Sequence, residues 1–215
     1  MAKIKICGLT RIEETEYLNE ASVDYAGFVF YEKSKRNLAF EQAKKIMDKL
    51  SPTIKKVAVC VSPDVKLLNN IEALGFDIIQ IHKVLSEEVL TLAKTPIWYA
   101  VNIEDEEDYL KKMEVLDEMP EDLSSKIKAI VVDAPAFGSG RPFNWKKSRR
   151  LLKAGAQSPP SKKRDFVLAG GLNPDNVKEG IELFDPDVVD VSSGVEGEIG
   201  KDKDKIFAFV NAVRN

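Results

Sequence analysis

Short apolar runs recur along the chain, and most alternate with segments whose apolar residues have helical spacing. Period-two alternation and clusters of β-branched residues predict that the runs are β-strands. The predicted strands are Lys3–Cys7, 24–30, 56–61, 77–82, 96–102, Ile127–Asp133, 166–169 and Val188–Val191. The segments between and after them predict helices that follow Thr10 and cover 40–50, 62–74, 86–93, 104–116, 145–153, 173–184 and 203–213.

Strand followed by helix, eight times at about 27 residues per unit, requires parallel strands and is typical of a (β/α)8 TIM barrel. An open doubly wound sheet is the alternative, but its glycine fingerprint follows the first strand. Here the first strand ends in Cys7-Gly8-Leu9-Thr10, which lacks that fingerprint. We therefore predict an α/β fold with one barrel domain over residues 1–215. Residues 117–125 are predicted to be a surface connection, and 156–164 an exposed loop.

Local signals refine the ends of the helices. Thr10 and Glu13 form a capping-box pattern, and Asn173 is a favourable N-cap before Pro174 at a first helical position. Ser62, followed by Pro63, predicts the cap of a third helix.

The first strand has two distinct faces. Ile4 and Ile6 share one, whereas Lys3, Lys5 and Cys7 share the other. If the second face points into the barrel, the charge of Lys5 would favour the thiolate form of Cys7. Closure of the barrel would also bring Asp190 near the first strand, where it could pair with Lys5.

Composition narrows the function classes. The 215 residues carry a net charge of −3, which gives no electrostatic basis for nucleic-acid or membrane binding. No stretch has the length and hydropathy of a signal peptide or a membrane span. Two cysteines are too few for a disulfide framework or a zinc site, so we expect a cytoplasmic protein with reduced thiols. The one histidine, His82, would have to serve any Ser-His-Asp triad.

Small residues follow the last two predicted strands. Gly170 and Gly171 end the seventh, whereas Ser192, Ser193 and Gly194 end the eighth. Backbone N–H groups in such loops can surround a phosphate, and TIM barrels often bind phosphate there. Tight turns alone are the simpler alternative for either group. Their joint occurrence at these two positions predicts a phosphate site.

Two residues at predicted carboxyl ends of strands can transfer protons. Cys7 ends the first strand beside a glycine, whereas Cys60 lies inside an apolar run and is predicted to be a core thiol. Asp133 ends the sixth strand, where a carboxylate can act in catalysis or simply cap a turn. Position favours function for Cys7, and the location of Asp133 opposite the predicted phosphate site favours function for Asp133 as well.

Two further residues are candidates for substrate contact. Arg36 lies in a basic loop, where it is either solvated or able to bind a carboxylate through two parallel hydrogen bonds. His82 ends the fourth strand, where it is either a packed residue or a hydrogen-bond donor. The sequence pattern does not decide between these alternatives.

Six motifs, in order along the whole chain, resemble the phosphoribosylanthranilate isomerase family. They are KIKICGLTR, GFVFYEKSKR, IQIH, VVDAPAFGSGRPFNW, LAGGLNPDNV and VDVSSGVE. The resemblance implies an Amadori rearrangement of N-(5-phosphoribosyl)anthranilate to the 1-deoxyribulose 5-phosphate, in tryptophan biosynthesis, with no metal or cofactor. It implies a small phosphosugar substrate and leaves the protein a monomer or a homodimer.

The resemblance also assigns roles to individual residues. It implies that Asp133 is the general acid and Cys7 the general base. It implies that Arg36 contacts the anthranilate carboxylate and that the phosphate is bound by the two loops after the last strands. His82 and Gly140 are the remaining residues that the family pattern implies in substrate binding.

The chain departs from the family pattern at several loop positions. Glu32 and Lys35 stand where proline is common, Lys83 stands where glycine is usual, and Phe137 changes the glycine-rich sixth loop. These departures concern loop geometry and leave the two proton-transfer candidates in place.

Two other functions are compatible with the same scaffold. A related histidine-pathway isomerase would use two aspartates, which the cysteine at the end of the first strand argues against. A non-catalytic phosphosugar-binding protein would not need an acid and a base on opposite strands.

Overall fold

Eight parallel strands form a closed barrel in which each strand pairs with its neighbours in sequence and β8 pairs with β1. A computed structural model describes residues 1–103, 106–133 and 164–215. The strands are β1 Lys3–Cys7, β2 Tyr25–Phe30, β3 Lys55–Val61, β4 Ile78–His82, β5 Ile97–Asn102, β6 Ile127–Asp133, β7 Asp165–Leu168 and β8 Val188–Val191. The TIM-barrel prediction is confirmed, and each predicted strand agrees with the structure to within one residue at either end.

The two faces of each strand serve two separate apolar clusters. Ile4 and Ile6 pack in the cluster between the sheet and the surrounding helices. Cys7 packs in the cluster inside the barrel, together with side chains such as Tyr25 and Trp98. Lys5 has no exposed surface and forms an ion pair with Asp190 of β8. The alternation predicted for β1 is therefore confirmed, and its second face points into the barrel.

Helices follow the strands along the described chain. They are α1 Glu14–Ala21, α2 Phe40–Met47, α3 Val65–Ala73, α4 Glu87–Leu92, α5 Glu106–Asp117, α6 Glu121–Ser124, α7 Val177–Phe184 and α8 Lys203–Arg214. Three of them begin with a side-chain cap that the sequence did not single out. Asp64 accepts from the Leu67 amide at 2.7 Å, Ser86 accepts from the Val89 amide at 3.2 Å, and Asp202 accepts from the Lys205 amide at 2.9 Å. The predicted cap at Ser62 and Pro63 is wrong because Asp64 performs that function.

The first helix corrects a second prediction. Glu14, rather than Glu13, accepts a hydrogen bond from the Thr10 amide at 2.7 Å and another from the Arg11 amide at 3.2 Å. Glu14 is fully buried and also accepts from the Lys201 amide at 2.8 Å, so it joins the start of α1 to the loop before α8. The hydrogen bonds of Glu14 to the Thr10 and Lys201 amides therefore take the place of the predicted capping box.

The loop after β7 corrects a third. Asn173 accepts from the amides of Asp175 and Asn176 at 2.9 and 3.1 Å, and α7 begins only at Val177. Asn173 therefore caps the turn that precedes the helix.

The predicted connections and the predicted absence of a membrane span have different outcomes. The connection predicted over 117–125 contains the short helix α6. The helix predicted over 145–153 and nearly all of the loop predicted over 156–164 lie outside the described residues. In the part of the chain that the structure describes, no helix is long and apolar enough to cross a membrane.

Candidate active site

A cavity of about 460 Å³ opens where the strands end. Both proton-transfer candidates line it, as do residues of the loops after β2, β4, β7 and β8. Its lining includes Cys7, Arg36, His82, Asp133, Gly170, Gly171, Ser192 and Ser193. The structure therefore brings the thiol of β1 and the carboxyl group of β6 to one space, although these strands are not neighbours in the barrel.

The position of the Cys7 thiol depends on a small neighbour. Cys7 stands opposite Gly27 in the register of β1 and β2. A Cβ atom at Gly27 would lie 2.8 Å from the Cys7 sulfur, which is closer than van der Waals contact allows. Glycine at this position therefore leaves the room that the thiol needs at the mouth of the barrel.

Lys5 and Asp190 form a buried ion pair below the thiol. The Lys5 Nζ donates to Asp190 Oδ2 at 2.7 Å, which confirms the pairing predicted from barrel closure. Burial acts to lower the pKa of Lys5, but the charge of Asp190 and the neighbouring Cys7 raise it overall. Lys5 is therefore a fixed cation next to the Cys7 thiol.

Cys7 is less readily deprotonated than the neighbouring Lys5 in β1 suggested. Burial raises the pKa of the Cys7 thiol, and the charges of Lys5 and Lys201 act in the opposite direction without reversing the shift. The predicted sign of the Lys5 effect is confirmed, but the resting residue is mainly a thiol. Cys60 is buried in the outer core, and burial raises its pKa to about 12, as expected of an inert thiol.

His82 is a neutral ring in the wall of the cavity. Burial, followed by the positive charge of Lys5, lowers its pKa to about 3. Its Nε2 lies 2.9 Å from the side-chain amide nitrogen of Gln80, so this ring nitrogen accepts a hydrogen bond from that amide. The ring can offer hydrogen bonds to a ligand but carries no charge at neutral pH.

The loops after β7 and β8, which the sequence predicts to be a phosphate site, approach each other closely and contain backbone conformations that favour glycine. Gly170 and Gly171 have φ values of 82° and 74°, a region that favours glycine. A Cβ atom at Gly194 would collide with the carbonyl oxygen of Leu172, so glycine lets these two loops approach closely. The backbone amides of Ser193 and Gly194 donate to no acceptor among the residues that the structure describes. Amides of this kind can bind an anion.

Arg36 is held by an acidic residue of the loop after β8. Its Nε and Nη2 donate to the two carboxylate oxygens of Glu196 at 2.5 and 3.0 Å. Burial acts to raise the pKa of Glu196, but hydrogen bonds from Arg36 and Lys35 and the charge of Lys201 lower it to about 2. Arg36 is therefore not a freely solvated side chain, because Glu196 holds its guanidinium group.

The buried Lys201 extends this ion pair to Ser192 in the loop after β8. Its Nζ donates to Glu196 Oε1 and to the Ser192 carbonyl, each at 3.0 Å. The Ser192 hydroxyl in turn donates to the Cys7 carbonyl at 2.9 Å. The arginine, the loop after β8 and the end of β1 therefore belong to one hydrogen-bonded network.

Lys83 and Gly140 are the remaining loop positions that the sequence singled out. Lys83 has a φ of 63°, which explains physically why glycine suits this position after His82. Gly140 lies outside the described residues, and its role in substrate binding stays a prediction.

Sequence reasoning did not single out Glu196, Lys201 or Gln80. Glu196 is the last residue of the motif VDVSSGVE, and an acidic residue in a loop predicted to bind an anion was a usable signal. Lys201 lies in a run of charges typical of a solvated surface, and nothing in that run indicated a side chain that is only 1% exposed.

A closed parallel barrel with a thiol and a carboxyl group lining one cavity at the carboxyl ends of its strands is the arrangement of a TIM-barrel enzyme. Residues 4–212 match the N-(5'-phosphoribosyl)anthranilate (PRA) isomerase family. The chain therefore belongs to this family, and it is an isomerase of tryptophan biosynthesis.

Individual relatives agree with this assignment. The isomerase of Streptococcus mutans is 40% identical over 215 residues, which cover all of both chains. That of Streptococcus gordonii is 38% identical and covers all of this chain and 99% of its own. The crystal structure of the Thermotoga maritima enzyme is 30% identical, with a TM-score of 0.84 over all of this chain and 99% of the other. A further phosphoribosyl anthranilate isomerase, at a TM-score of 0.81, was solved in complex with reduced 1-(o-carboxyphenylamino)-1-deoxyribulose 5-phosphate.

Proposed function

We propose that Asp133 and Cys7 perform the isomerisation as general acid and general base. The observation that carries the proposal is that both residues line one cavity at the carboxyl ends of β6 and β1. No other cysteine of the chain is available for this role, because Cys60 belongs to the outer core.

The first step opens the ribose ring. Asp133, in its protonated form, gives a proton to the ring oxygen as the bond between that oxygen and C1 breaks. The nitrogen lone pair forms a double bond to C1, and the product is a protonated Schiff base. A positioned acid of this kind contributes about 10²–10⁴-fold to the rate.

The second step removes the proton from C2. The Cys7 thiolate takes this proton, and the bonding electrons move into C1=C2 and neutralise the iminium nitrogen. The resulting enolamine tautomerises to the ketone. Because burial raises the pKa of the thiol, only its minor thiolate fraction is competent, and the cationic iminium would favour that fraction when it forms.

The substrate would be bound at its two anionic ends. The amides and hydroxyls of Gly170, Gly171, Ser192, Ser193 and Gly194 are the proposed phosphate site. Arg36 is the proposed partner of the anthranilate carboxylate, and His82 a neutral hydrogen-bonding group of the wall. Several lysines in the cavity lining support an anionic ligand: Lys33, Lys35 and Lys83.

The cellular setting follows from the same chemistry. Both cysteines are free, and a phosphorylated biosynthetic intermediate is made inside the cell, so we place the protein in the cytoplasm. A monomer and a homodimer are both compatible with the site, because this chain alone supplies all of the residues to which we assign a role.

The experiment is a fluorescence assay with freshly generated phosphoribosylanthranilate. Cys7→Ala and Asp133→Ala are expected to abolish turnover while the circular dichroism spectrum stays native. Cys60→Ala is the matched control, because it removes the other buried thiol and should retain turnover. Turnover of either cavity variant within a few-fold of the unmodified protein would refute the proposed roles.

A further inference from the structure

Glu196 binds Arg36 in a geometry that can fix the orientation of the guanidinium group. The Nε and Nη2 atoms form one edge of the guanidinium plane, and the two Glu196 oxygens accept from that edge. A guanidinium carries five N–H groups in a fixed plane, so one further bidentate edge remains, formed by Nη1 and Nη2. Arg36 Nη1 makes no hydrogen bond to any residue in the described ranges, and Arg36 lines the cavity.

We propose that Glu196 is a positioning residue, which fixes the guanidinium of Arg36 so that its second edge receives the substrate carboxylate. This inference rests on the proposed role of Arg36 as the carboxylate anchor. A side chain that is already held in one geometry loses less conformational freedom when it binds a ligand.

Glu196 is itself held from several sides. Lys201 Nζ donates to its Oε1 at 3.0 Å, and Lys35 Nζ donates to its Oε2 at 3.0 Å. The Lys201 side chain is 1% exposed, whereas that of Lys35 is 72% exposed, so Lys201 is the fixed partner. A carboxylate with this many partners is retained beside Arg36 when a ligand arrives, rather than displaced by it.

The stem of Arg36 is fixed as well. Gly8 has a φ of 82°, and a Cβ atom there would collide with Arg36 Cδ. The arginine stem therefore lies directly against the backbone that follows Cys7. Because Lys201 also binds Ser192, the carboxylate anchor and the phosphate loop are fixed relative to each other and to β1.

A competing account makes the opposite prediction. If Glu196 competed with the substrate for Arg36, its removal would free the arginine and tighten the binding of a carboxylate. Removal of a negative charge would also tighten the binding of any anion through long-range attraction. Positioning alone predicts weaker binding that is confined to ligands carrying the carboxylate.

The test compares two inhibitors in Glu196→Gln. One is reduced 1-(o-carboxyphenylamino)-1-deoxyribulose 5-phosphate, and the other is the same compound without the ring carboxylate. We expect the inhibition constant of the first to rise about tenfold and that of the second to change less than twofold, because only one bidentate contact is misaligned. Glu198→Gln is the matched control: it makes the same charge change in the same loop, at an exposed side chain, and should alter neither constant.

Arg36→Met separates the two proposals. If Arg36→Met weakens both inhibitors equally, Arg36 is not the carboxylate anchor and the proposed binding mode fails. If Arg36→Met selectively weakens the carboxylate inhibitor but Glu196→Gln does not, the anchor stands and the positioning role is refuted. Tighter binding of the carboxylate inhibitor to Glu196→Gln also refutes positioning. In the double variant, we expect no loss beyond that of Arg36→Met alone.

Discussion

Replacement of Lys5 by methionine tests the buried ion pair inside the barrel. The distance from Lys5 Nζ to Asp190 Oδ2 is 2.7 Å, and Lys5 has no exposed surface. At an effective dielectric constant of about 20, unit charges at this distance attract by about 6 kcal/mol, and the cost of burying both charges offsets much of this. Removal of the cation alone leaves the Asp190 carboxylate buried without its partner.

We expect Lys5→Met to lower the free energy of unfolding by about 3–5 kcal/mol, the range for one broken partner of a buried pair. For a chain of this size, that loss corresponds to a decrease in Tm of roughly 6–20 °C. Lys5→Met with Asp190→Asn should recover at least half of the loss, because the unpaired charge is gone.

The same substitution reports on the thiol. The charge of Lys5 lowers the pKa of Cys7, so Lys5→Met should raise that pKa and slow alkylation of Cys7 at pH 8.5. Urea unfolding and the pH profile of alkylation measure the two effects, with Cys60→Ala as background to isolate one thiol. A stability loss below about 1 kcal/mol, or a double variant no more stable than the single one, would refute this reasoning.

Three further substitutions test the site. Gly27→Ala places a Cβ atom 2.8 Å from the Cys7 sulfur and should lower kcat by at least tenfold with little change in KM; an unchanged kcat contradicts the packing argument. Gly8→Ala should displace Arg36 and raise KM. If this variant weakens inhibitors with and without the ring carboxylate equally, displacement of Arg36 is not the cause. The pKa of Glu196 is lowered to about 2 from its ordinary 4.5, so its contribution to stability is complete above pH 4.5 and is lost as pH falls towards 2. Glu196→Gln should therefore show a flatter loss of Tm between pH 4.5 and 2, and an identical pH profile would contradict the ion-pair assignment.

The sequence predicted the barrel because its strand signals are local and repeated. Period two in β1 places Cys7 inside the barrel, and the order of strands then places Asp133 at the same mouth. The small residues after β7 and β8 predict the close approach of these two loops because few side chains permit that backbone. Position along the chain therefore located most of the lining.

The remaining features depend on contacts between distant residues. The carboxylate of Glu14 joins two loops that are 187 positions apart, so no local pattern could distinguish it from Glu13. Glu196 contacts Arg36 across 160 positions, and only the closed barrel brings them together. The net pKa of Cys7 was also beyond local reasoning, because it is set by burial against the opposing charge of Lys5.

The central claim is that Cys7 removes the C2 proton after Asp133 has opened the ring. The most direct measurement is the kinetic isotope effect on kcat with substrate deuterated at C2 of the ribose, in Cys7→Ser and Asp133→Asn. The account predicts a larger isotope effect in Cys7→Ser, because a serine hydroxyl is almost never deprotonated at neutral pH and proton removal becomes slower. It predicts an effect near unity in Asp133→Asn, where ring opening limits the rate. An isotope effect that shrinks in Cys7→Ser or grows in Asp133→Asn would contradict the assignment of these two roles.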